Sequence, residues 1–221
     1  MQGLSNVIRT VSASCFRIRA AMYIIGLSGN FGTGKTTVAE MLARHGAVVI
    51  NADSVGHRLL QKGSEAYGEL IDIFGRDILL PDGQIDRRRL GKCAFENRQN
   101  TAKLNAVMRP RIRQELERLL EQQRMAGTEV LVLEAALLVR DDWKGVIDEI
   151  WVTSADQSLV VERLKKGRGY DEDEVISRLQ QQLSPDQLLA QADVVLHTGC
   201  TLPELKQRVD EEWRRLKKRM R

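Results

Sequence analysis

The run Gly29-Asn30-Phe31-Gly32-Thr33-Gly34-Lys35-Thr36 carries the spacing G-x-x-x-x-G-K-[ST], whose chemistry is the holding of phosphate groups. Glycines let successive backbone N–H groups turn inward toward phosphate oxygens, and a helix starting behind them adds its dipole. Lys35 is placed to reach the β- and γ-phosphates, and Thr36, followed by Thr37, to offer its hydroxyl to Mg²⁺. With 17 Gly in 221 residues, about 0.005 such matches are expected by chance, so a bare glycine-rich turn is set aside. The run predicts a bound nucleoside triphosphate.

A second candidate is Asp53. Asp53-Ser54-Val55-Gly56 matches the D-x-x-G of regulatory GTPases, but it follows the cradle too closely and no N-K-x-D occurs in the chain. Asp53 falls just past an apolar run, where open α/β sheets place their ligands. A carboxylate there can take the proton of an acceptor hydroxyl, or it can cap a helix. Arg87, Arg88 and Arg89 offer guanidinium groups for a polyphosphate acceptor, against the alternative of a solvated basic face. Arg163, Lys166 and Arg168 precede Gly169-Tyr170, as in a lid that brings positive charge to a transferring phosphoryl group. Glu134 ends an apolar run, placed to act through metal-bound water or to cap a turn.

These residues need a frame. Residues 22–27, 47–50, 131–133, 150–152 and 194–196 are short apolar runs alternating with helical periodicity. The pattern predicts an α/β fold, a five-stranded parallel sheet with helices on both faces. About eighty residues between the second and third runs lack a strand pattern and read as a helical insertion over about 54–125, with Pro110 beginning or kinking a helix. A lid is expected over about 163–172. Thr201 and Glu204 form a capping box for a last helix with Leu205, Val209, Trp213 and Leu216 on its buried stripe.

Composition narrows the classes further. Hydrophobic content of 43% with 29% charged residues is that of a globular chain, and no apolar run reaches the ~18 residues of a membrane span. Net charge is +4, too small to argue for nucleic acid; the basic tail from Arg214 reads as a solvated helix end. Three scattered cysteines, Cys15, Cys93 and Cys200, exclude a disulfide scaffold and fit the cytoplasm. His45, His57 and His197 lack zinc-ligand spacing and read as solvated or core-edge residues. Residues 1–21 contain no acidic residue and read as an extension or a misassigned start before Met22, with a transit peptide as the alternative.

Together these residues resemble the dephospho-coenzyme A kinase family across nearly all of 22–213. The likeness runs through Ile25-Gly26-Leu27-Ser28 into the cradle, Asn51-Ala52-Asp53, Phe74-Gly75 and Asp82-Gly83-Gln84-Ile85-Asp86-Arg87. It continues with Leu90-Gly91, Leu104-Asn105, Pro110, Leu137-Leu138, Arg178, Gln182 and Ala192-Asp193. The resemblance implies a P-loop kinase domain over residues 22–221 and transfer of a phosphoryl group from ATP to the 3′-hydroxyl of dephospho-CoA. It implies Asp53 as the base, Lys35 and Arg163 as catalytic partners, and Arg87 at the acceptor. Arg109 stands where the family has the histidine of His-Pro, so the acceptor contact the resemblance implies there is either missing or made by Arg109. Ala136 replaces a proline, Arg140 an acidic residue, and His197-Thr198 an Asp-Asn pair near the adenine. The rival readings are a kinase for another small metabolite or nucleoside monophosphate, and a nucleotide switch or nucleic-acid-binding ATPase.

Overall fold

The computed structural model describes residues 22–135, 143, 145–180 and 182–220. The 1–21 segment and Ala136, Leu137, Leu138 and Arg140 lie outside the described residues. Strands β1 (Tyr23–Gly29), β2 (Val48–Asn51), β3 (Val130–Glu134), β4 (Glu149–Ser154) and β5 (Val194–His197) form one parallel sheet in the order β2-β3-β1-β4-β5. Period-two alternation explains why both faces are covered. Ile25, Leu27, Val130 and Val132 join one core with Val38 and Leu42 of helix α1 (Lys35–Arg44). Ile24, Leu131 and Leu133 point the other way, into a second core with Val55, Leu116 and Leu120.

Between β2 and β3 the chain forms α2 (Ala52–Leu59), α3 (Glu65–Phe74), a 3-10 turn at Arg76–Ile78, α4 (Arg87–Phe95) and α5 (Arg98–Ala126). Ala66, Leu70, Ile78, Ile85, Leu90, Val107 and Met108 give this stretch its own core. Pro110 does not begin a helix, as the sequence reading allowed: α5 starts at Arg98, capped by the Asn97 side chain, and runs through it. The proline removes one N–H, but Val107 and Met108 on one side and Leu116 and Leu120 on the other bury the helix against two cores.

Past β4 come α6 (Gln157–Arg168), α7 (Glu172–Gln180) and α8 (Pro185–Leu189), and after β5 the closing α9 (Leu202–Arg219). The Thr201–Glu204 capping box is present at its start, and Leu205, Val209 and Leu216 are buried against the first core. Trp213 is only partly buried there, and its ring stacks on His45.

Candidate active site

The cradle begins inside the sheet. Gly29, which reads as a turn residue in sequence, is the last residue of β1 and pairs with Thr153 of β4. Any Cβ at Gly29 would collide with the Thr153 hydroxyl, and its φ of 149° disfavours other residues. The loop then turns over itself: Thr33 Oγ1 donates to the Asn30 carbonyl at 2.8 Å and lies 2.7 Å from Thr153 Oγ1. Gly34, at φ 88°, opens α1 with no side-chain cap. The first-turn N–H groups of α1 are therefore left for an anion rather than for a capping side chain. Lys35 Nζ donates to the carbonyls of Gly29 at 2.7 Å and Asn30 at 3.1 Å, so the ammonium group lies over the loop.

Glu134, at the end of β3, is 5% exposed and accepts two hydrogen bonds. Thr36 Oγ1 donates to its Oε1 at 3.0 Å, and Asn51 Nδ2 donates to its Oε2 at 2.9 Å. The cap of α2 is Asn51, whose Oδ1 accepts the Ser54 N–H at 2.8 Å. Asp53 is thus freed from the capping role that its sequence position allowed. It sits exposed in the first turn of α2 and lines a cleft of about 570 Å³ with Lys35, Thr36, Asn51 and Glu134.

The same cleft reaches Arg163, Thr198, Cys200 and Leu202 on its other side. Arg163 Nη2 donates to the carbonyls of Thr198 at 2.7 Å and Cys200 at 3.5 Å. Thr198 in turn is nearly fully buried and donates its hydroxyl to the Thr33 carbonyl at 2.8 Å. The connection between α7 and α8 also grips the loop tip. Phe31 N–H donates to Gln182 Oε1 at 2.7 Å, and Asn30 Nδ2 to the Leu183 carbonyl at 3.1 Å. The Arg178 guanidinium lies 5.2 Å from the Phe31 ring centre and 4.7 Å from that of Tyr170. This clamp was not legible as such: Phe31 reads only as a variable cradle position, and Arg178 and Gln182 stand out through family likeness alone.

The remaining candidates divide. Arg87 opens α4 on an exposed surface outside the cleft lining, yet its charge acts on His57. Partial burial and then Arg87 hold the His57 imidazole below its ordinary value, while Asp53 pulls the other way. His57, four residues after Asp53 on α2, therefore stands between the carboxylate and the arginine electrostatically; the i, i+4 spacing was the available signal. Arg88 is exposed, whereas Arg89 is tied to the Leu79 carbonyl at 3.0 Å and to Asp86 at 3.3 Å, a structural role. Arg109 is exposed on α5 and does not line the cleft. Lys166 pairs with Glu162 on the surface, and the side chain of Arg168 lies outside the described residues.

A sequence model of the family described as dephospho-CoA kinase matches residues 23–204. A dephospho-CoA kinase of Dehalococcoides mccartyi is 35% identical over 186 residues, 84% of this chain and 93% of its own length. One of Thermobifida fusca is 36% identical over 199 residues, covering 90% of this chain and 98% of that relative. Among solved structures, TT1252 from Thermus thermophilus superposes with a TM-score of 0.76 at 26% identity, over 89% of this chain and 98% of its own.

Proposed function

The chain belongs to the dephospho-CoA kinase family, and from that premise we propose which of its residues carry the transfer. The reaction is the ATP-dependent phosphorylation of dephospho-CoA at its 3′-hydroxyl, giving coenzyme A. The cradle from Gly29 to Thr37 holds the triphosphate through its inward N–H groups and the uncapped start of α1. On nucleotide binding, Lys35 exchanges the loop carbonyls for phosphate oxygens, anionic acceptors in place of neutral ones.

Asp53 is the base. It accepts the 3′-hydroxyl proton as the acceptor oxygen attacks the γ-phosphorus and the bond to the ADP oxygen breaks. Arg163, held on the carbonyls of 198–200 at the far side of the cleft, supplies positive charge to the phosphates. The Thr36 hydroxyl and the Glu134 carboxylate are hard oxygen donors facing one cleft, a set that fits Mg²⁺, which keeps several waters and few protein ligands. Those two residues would hold the ion, and bound there it would neutralise phosphate charge. Helices α2 to α5 form the acceptor-binding insertion, with Arg87 and Arg109 as its phosphate contacts, and residues 163–172 belong to the lid. Among the described residues Cys93 and Cys200 are unpaired, which supports a cytoplasmic setting.

The observation that carries the reading is the meeting of an uncapped Asp53 carboxylate with Lys35 and Thr36 in one cleft. Mass spectrometry after incubation with ATP, Mg²⁺ and dephospho-CoA tests it, alongside a panel of other alcohols. One phosphate added to dephospho-CoA is expected. Phosphorylation confined to another acceptor, or ATP hydrolysis without a phosphorylated small product, overturns it.

A further inference from the structure

We propose that Asn51 is a positioning residue, whose side-chain amide fixes the Asp53 carboxylate relative to the phosphate cradle through Glu134. The proposal rests on Asp53 acting as the base. Asn51 and Glu134 are register partners on the adjacent parallel strands β2 and β3, so their side chains leave the sheet side by side at its ligand-binding end. Both ends of the amide are used. Oδ1 caps α2 through the Ser54 N–H at 2.8 Å, and Nδ2 donates to Glu134 at 2.9 Å. The other oxygen of Glu134 holds the Thr36 hydroxyl at 3.0 Å. A continuous chain of three hydrogen bonds therefore runs from the second cradle hydroxyl to the helix that bears the base.

The cap alone does not require this residue. Aspartate and serine cap helices about as well as asparagine does, and neither can make the second bond. An aspartate in place of Asn51 would put a second carboxylate against the nearly buried carboxylate of Glu134, with no N–H to donate between them. Serine keeps the cap and the charge count but is too short to reach Glu134. Among the good caps, asparagine joins an acceptor for the helix to a separate donor long enough to reach the strand neighbour.

Four variants test the inference: Asn51→Ser, Asn51→Asp, Glu134→Gln and the double swap Asn51→Asp/Glu134→Gln. Asn51→Ser is expected to lower kcat about tenfold, with ATP KM and the unfolding midpoint nearly unchanged, because misplacing a reacting group costs rate before it costs stability. Asn51→Asp and Glu134→Gln, assayed singly, give the two effects against which the double swap is read. In the double swap the amide and the carboxylate trade strands. The new amide on β3 donates to the new carboxylate on β2 and still accepts from Thr36, so kcat should rise well above the product of the two single effects. An unchanged kcat in Asn51→Ser, or a double swap no better than that product, overturns the positioning role. Asp53→Asn assayed in parallel separates the premise: if it stays active the base assignment fails, while the swap still reports the Asn51–Glu134 coupling.

Discussion

At the scale of single residues, Asp53 shows how much a spacing argument can deliver. Its position past an apolar run announced either a base or a cap, and spacing does not separate the two. In the structure Asn51 takes the cap and the Asp53 carboxylate faces the cleft, where the proposed base has to be. Asp53→Asn should therefore lower kcat by about 10²–10⁴-fold with little change in unfolding midpoint, measured on one preparation. His57 was not legible, since its meaning depends on Arg87 coming near it from α4. With its folded pKa held below 6.5, the unfolded chain takes up this proton first as pH falls, so stability declines from about pH 6.5 downward. His57→Gln should flatten that decline in a series of thermal melts across pH. An unaltered slope would mean that the imidazole feels neither burial nor Arg87.

At the scale of elements, all five strands were readable from their apolar runs, and the errors lie at the ends. β1 extends through Ser28 and Gly29 because a residue without Cβ can still pair with Thr153, which composition reads as a turn. Pro110 misleads in the other direction, since tertiary burial of α5 outweighs a local breaker. The clamp of Phe31 by Arg178, Tyr170 and Gln182 joins segments far apart in the chain, and only packing brings them together. Phe31→Ala removes the ring on which Arg178 rests, an interaction of about 1 kcal/mol at a part-exposed site. We expect a several-fold rise in ATP KM with kcat at saturation largely kept, read from initial rates. An unchanged KM would show that α7 docks on the loop without the ring.

At the scale of the whole molecule, one eight-residue motif carried the nucleotide, whereas the acceptor came from family likeness and not from any single spacing. The insertion's helices could be anticipated by periodicity, but not that Arg87 and Arg109 stand outside the cleft lining, because that depends on how α4 and α5 pack. The family match starts at residue 23, with β1. A chain of residues 22–221 is accordingly expected to keep the kcat and unfolding midpoint of the full chain; a drop of many degrees in a melt would contradict this. The strand order carries a consequence for synthesis. β1 lies at the centre of the sheet, yet its neighbours on both edges, β3 and β4, are encoded after the whole helical insertion. On a ribosome adding ~5–20 residues per second, β1 waits on the order of ten seconds for either partner. During that interval its open apolar edges are sites for a chaperone or for pairing with another nascent chain. The Asn51–Glu134 contact cannot exist before β3 inserts, so catalytic competence arrives with the closing of the sheet.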